Sequence, residues 1–115
     1  MVGYAVNDTD RDFIVIYKIL SALQAAMDSE RLDTDSFAPD ILGVTPNRLY
    51  ALLEMLSDEG YIKGLVVTKR ITGTGYMLSE MKITLRGLEY LKENSLMNRA
   101  LQVIRGIVPS LIDKI

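Results

Sequence analysis

The chain has 115 residues, a formal net charge of −2, and neither cysteine nor histidine. Those two absences exclude thiol catalysis, imidazole acid–base chemistry and nearly every zinc site, so no enzymatic role is expected. With 49% hydrophobic content the length fits a single domain over residues 1–115 built on one core, and no apolar run approaches the roughly 18 residues of a membrane span.

Residues 1–9 read as a loose arm. The start, MVGYAVND, lacks a basic region followed by a signal core, and without cysteine the expected compartment is the cytoplasm. Asp8, Asp10 and Asp12 alternate as in a calcium loop. Such a loop needs Gly at its sixth position and Glu at its twelfth, and counting from Asp8 those places hold Phe13 and Ile19. The aspartates therefore read as caps that oppose the dipole of the next helix. That helix is expected from Asp10 to about Met27, with Phe13, Ile16, Tyr17, Leu20, Leu23 and Met27 inward and Ile14 and Ile19 widening the stripe. Asp28 to Asp35 is an acidic, solvated loop without a recognisable ligand geometry. Ser36 to Ala38 suggests a brief strand.

The organising stretch runs from Pro39 to Ile62. Pro39 opens a short helix that Gly43 closes. Thr45 is a good N-cap, Pro46 fits the first helical position, and Val44 and Leu49 have the spacing of a hydrophobic staple. Leu49, Leu52, Leu53 and Leu56 give the helix over 46–59 a buried face, and Gly60 ends it. Tyr61 to Thr68 is rich in β-branched residues and reads as a strand, with Gly64 at a bulge. Lys69 to Gly75 reads as a glycine-containing loop, and Tyr76 to Ile83 as the returning strand of a hairpin. No helix and no GKS/T follows Gly73 and Gly75, so a phosphate-binding loop is excluded.

Thr84 caps a helix over 85–93 with Leu85, Leu88 and Leu91 inward, and Asn94 ends it. Ser95 caps a final helix from Leu96 to 108 or beyond, in which Pro109 forces a kink. Met97, Leu101, Ile104, Val108, Leu111 and Ile115 follow a heptad seam. Segment 95–115 is therefore a candidate dimerisation element, with Met97, Leu101, Ile104, Val108 and Leu111 at the interface of an expected two-fold homodimer.

The order helix, short helix, turn, helix, hairpin, helix is that of a winged helix. The expected class is α+β, mainly helical: a winged helix-turn-helix with a β-hairpin wing and an added C-terminal helix. DEGYIKG (Asp58 to Gly64) and ITLRGLEYL (Ile83 to Leu91) form a pair common in such proteins. Continued through YLKENSLMNRA (Tyr90 to Ala100), the sequence resembles the YjcQ-like family of small bacterial and prophage proteins, over most of residues 10–105. The resemblance implies a winged-helix fold and, by analogy, nucleic-acid binding.

Residues 1–44 carry a balance of −5, residues 45–94 of +1 and residues 95–115 of +2, so any attraction to phosphate is local. The expected function is DNA binding by a small transcriptional or prophage regulator. Asn47, Arg48 and Tyr50 on the second helix of the motif, with Lys63, Lys69 and Arg70 on the wing, are the candidate contacts to double-stranded DNA. Asn47, Ala51, Glu54 and Asp58 are expected on that helix's outer face. The alternative is a protein-interaction module on the same scaffold, which the acidic first third and the sparse basic face favour. No cofactor, metal or membrane partner is expected.

Overall fold

The computed structural model describes residues 7–95. Residues 1–6 of the arm expected over 1–9 and the C-terminal helix expected from Leu96, with the dimer candidates Met97, Leu101, Ile104, Val108 and Leu111, lie outside the described residues.

The fold is α+β, with helices predominating and two small antiparallel sheets. Helix α1 spans Asp8–Ala25. It starts earlier than the aspartate pattern predicts because Asn7, not an aspartate, caps it: Asn7 Oδ1 accepts from the Asp10 amide at 2.8 Å. Asp8 and Asp10 then occupy the first turn, where their charge suits the helix dipole. The buried residues are Val15, Ile19, Leu20 and Leu23. Ile16 and Tyr17 pack at the edge of the core, whereas Phe13 and Met27, expected inside, are exposed. The true stripe runs through Val15, Ile19 and Leu23 at four-residue steps, so the expected one was rotated towards solvent.

Residues Thr34–Phe37 form a turn of 3-10 helix where a strand was expected. Asp33 caps it by accepting from the Asp35 amide at 3.1 Å, and the turn drives Phe37 fully into the core. Helix α2 is Pro39–Leu42 and α3 is Pro46–Asp58. Thr45 Oγ1 accepts from the Arg48 amide at 3.2 Å, and Leu49, Leu52, Leu53 and Leu56 are all buried, as the spacing requires.

The hairpin is broken into two ladders. At its base β1 (Ile62–Lys63) pairs with β4 (Lys82–Ile83), and beyond the break β2 (Val66–Arg70) pairs with β3 (Gly73–Met77). Gly64 sits at the break with φ +84, where a side chain would collide with the Glu80 carbonyl. On the opposite strand a turn closed by the Met81 amide donating to the Leu78 carbonyl, at 3.0 Å, buries Met81. The expected loop over 69–75 is shorter than predicted. Arg70 pairs with Gly73, so only Ile71 and Thr72 lie at the tip, and Lys69, Arg70, Gly73 and Gly75 are strand residues.

Helix α4 spans Leu85–Glu93. Thr84 Oγ1 accepts from the Gly87 amide at 3.1 Å and donates to the Gly60 carbonyl at 2.6 Å, tying the start of α4 to the end of α3. Gly87 and Leu91 are buried and Leu88 packs beside them, but Leu85 is 74% exposed. A β-carbon at Gly87 would meet Ile83 Cγ1 at 2.6 Å, so this face of α4 rests directly on the hairpin base. Leu85 is two residues away, on the opposite side of the helix. Asn94 ends α4, its side-chain amide donating to the Tyr90 carbonyl at 2.9 Å.

Candidate functional site

Two groups of side chains converge on α3, one from each side. The first joins α3 to the hairpin. Tyr50 and Tyr76 stack with ring centroids 4.1 Å apart and planes within 3°. The Tyr76 hydroxyl donates to Glu54 Oε2 at 2.7 Å. Tyr50 and Glu54 are one helical turn apart and thus share a face, and Tyr76, on β3, sits against that face. The hydrogen bond to Glu54 holds the Tyr76 proton and raises its pKa above the ordinary tyrosine value, and burial adds to the effect. Glu54, expected on the outer face, is therefore half-buried beneath the hairpin.

The second group joins α3 to α1. Arg48 Nε and Nη2 donate to Asp12 Oδ1 and Oδ2 at 2.6 and 2.8 Å. This is a side-on, bidentate pair. Its hydrogen bonds hold the Asp12 carboxyl below the usual carboxylate range despite some burial, and they raise the Arg48 pKa further, with Asp8 contributing through its charge. The side chains remain 44% and 24% exposed for Arg48 and Asp12. With Thr45, Asn47, Ala51 and Met55 they border one shallow depression on the open side of α3.

The candidate contacts accordingly fall into three places. Asn47 and Arg48 are together at the exposed start of α3. Lys69 and Arg70 are exposed near the hairpin tip, beside a fully exposed Ile71. Tyr50 is engaged in its stack with Tyr76. Lys63 is not near the tip at all: it lies at the hairpin base, on the rim of a cavity of about 370 Å³ that also involves Leu23, Leu32, Met81 and Lys82.

Asp12 and Tyr76 escaped the sequence reading. The Asp12–Arg48 pair spans 36 positions, and no local pattern announces it. Tyr76 left a faint signal as the lone aromatic in a strand of glycine, threonine and methionine. Among the described residues no cluster of acidic side chains could hold a metal ion, and no helix is long and apolar enough to cross a membrane.

A family model described as YjcQ protein matches residues 17–108. The chain belongs to the YjcQ family. The matched stretch takes in α2, α3, the whole hairpin and α4, so the Tyr50–Tyr76–Glu54 brace lies inside the YjcQ region. Asp12 precedes it, and the pairing of Asp12 with Arg48 joins this chain's leading segment to its YjcQ region. No characterised protein and no solved structure matches the chain.

Proposed function

We propose that the chain is a winged-helix protein that binds double-stranded DNA and acts as a small regulator. The element order supports the winged-helix assignment, with α2, a three-residue turn and α3 as the helix-turn-helix and 62–83 as the wing. The observation that carries the functional reading is the brace between α3 and the wing. Stacking of Tyr50 on Tyr76, with the Tyr76–Glu54 hydrogen bond, fixes Lys69 and Arg70 of the wing relative to Asn47 and Arg48 of the helix. A reading helix and a backbone-contacting wing must keep a constant relation to span a groove and its phosphates together.

The test is a gel-shift titration of the full chain on mixed genomic duplexes at low salt. Lys69→Ala and Arg70→Ala should each weaken binding on every sequence and flatten the log–log salt dependence by about one. Absence of retardation at high micromolar protein would refute DNA binding.

A second reading, a protein-interaction module, is favoured by one observation. Val66 and Met77 face each other across the wing, both exposed, and Met55 is exposed on α3. On this reading Val66→Ser and Met77→Ser would abolish partner capture, whereas on the DNA reading they leave duplex affinity unchanged.

A further inference from the structure

The pairing of Arg48 with Asp12 uses one edge of the guanidinium and leaves another. Nε and one N–H of Nη2 are committed to the carboxylate. The end-on edge, formed by Nη1 and the remaining N–H of Nη2, has no hydrogen-bond partner among the described residues, and the side chain is 44% exposed. A guanidinium clamped from one side retains two parallel donors in a fixed direction, and such a fork matches the O6 and N7 acceptors of guanine in the major groove.

The same fork could approach a phosphate, but the local charge decides against it. Asp12 neutralises Arg48 at contact distance, and Asp8 also lies close enough to act on it through its charge. A phosphate arriving there would meet a group with no net positive charge, flanked by a further carboxylate. A base edge carries acceptors without a formal charge and suffers no such repulsion. Arg48 also occupies the exposed first turn of α3, the part of a reading helix that reaches base edges.

We infer that Asp12 is a positioning residue that orients Arg48 to read a guanine through its free end-on edge. The inference rests on the DNA-binding reading above and adds to it a specific base and a residue that acts from outside the helix-turn-helix. It separates two functions that a surface arginine usually combines: Lys69 and Arg70 supply charge, and Arg48 supplies discrimination.

The experiment is selection of preferred duplexes from a random pool with the full chain, followed by titration of the wild type, Arg48→Ala, Asp12→Ala and Asp12→Asn. The selected site should contain an invariant guanine, and replacing it by 7-deazaguanine should weaken wild-type binding about tenfold. Arg48→Ala should be insensitive to that replacement. Both Asp12 variants should lose most of the discrimination, and because Arg48 is then no longer neutralised they should bind random duplex at least as tightly as the wild type, with a salt slope steeper by up to about one. Asp12→Asn keeps the side-chain shape, and thermal midpoints near the wild type would confirm that all the variants are folded. Two results would overturn the inference alone: a selected site with no guanine dependence, or Asp12 variants with full discrimination. Failure of the wild type to bind any duplex overturns the DNA-binding reading, and the inference with it.

Discussion

A β-carbon added at Gly64 would run into the Glu80 carbonyl, and the backbone there already lies at φ +84. Gly64→Ala therefore combines conformational strain with a collision against main chain, which cannot rotate away as a side chain could. We expect a loss of about 2 kcal/mol or more, seen as a thermal midpoint lower by about 4 °C per kcal/mol. Leu53→Ala, in a fully buried position at the centre of α3, is a useful comparison because it acts by another mechanism. Its lost contacts and residual cavity should cost about 2–5 kcal/mol without altering the hairpin. Gly64→Ala should instead speed amide exchange selectively over 62–83, and a uniform change would show that the break is not specific to that glycine. At this scale the sequence is informative wherever the cause is local. Thr45, Gly60, Gly64 and Thr84 were all legible from caps, turns and spacing. Leu85 was not: it is spaced with Leu88 and Leu91, but the close approach of Gly87 to Ile83 sets the buried side of α4, which takes in Leu88 and Leu91 and leaves Leu85 outside.

Between elements, the decisive contacts are those that no short pattern records. The four-leucine face of α3 specified a buried helix, and the β-branched run specified a hairpin beside it. Nothing in either said that Tyr76 would lie over Tyr50 and donate to Glu54. That contact depends on the register Val67–Tyr76 and on the break at Gly64, which together set the direction of the hairpin. The predicted loop over 69–75 was too long for the same reason: ladder pairing extends glycine-rich β3 right up to the tip, overriding the weak strand propensity of its residues. Tyr76→Phe should keep the stack and lose the hydrogen bond, leaving the fold intact while amides of β2 and β3 exchange faster. Tyr76→Ala should exchange faster still. The pH dependence has a definite sign. The folded Tyr76 holds its proton more tightly than the usual tyrosine value of 10.0 would imply. Its contribution is thus complete below that value and is lost as pH rises through the raised pKa. A tyrosinate absorbance titration should show a late-ionising component that disappears in Tyr76→Phe. Tyr90, whose pKa is raised by burial and by Tyr61, should still titrate late in that variant. An unchanged titration would show that the Glu54 bond does not form in solution.

For the whole molecule, the question is how a chain of net charge −2 could hold DNA at all. The acidic excess is concentrated in residues 1–44, which carry −5, and that segment reaches the start of α3 through Asp12. Arg48 is neutralised there, and Lys63 lies at the base of the wing on the rim of a separate cavity. Of the basic residues expected to touch DNA, Lys69 and Arg70 are left to compete for phosphate. Counterion release scales with the number of phosphates neutralised, at about 0.9 per contact on duplex DNA. One chain on a random duplex should therefore show a log–log salt slope of about −2, well below that of proteins making 6–10 such contacts. On the DNA-binding reading, a chain of this charge binds weakly and depends on base contacts for most of its discrimination. If the heptad seam proposed for Met97 to Leu111 joins two copies, each presents its own wing and the slope should double to about −4. Affinity measured over 50–200 mM salt, together with light scattering on the free protein, tests both statements. A slope near −2 with a monomeric mass refutes the dimer. A slope beyond about −6 would mean that residues other than Lys69 and Arg70 carry the phosphate contacts, and the assignment of charge to the wing alone would fall.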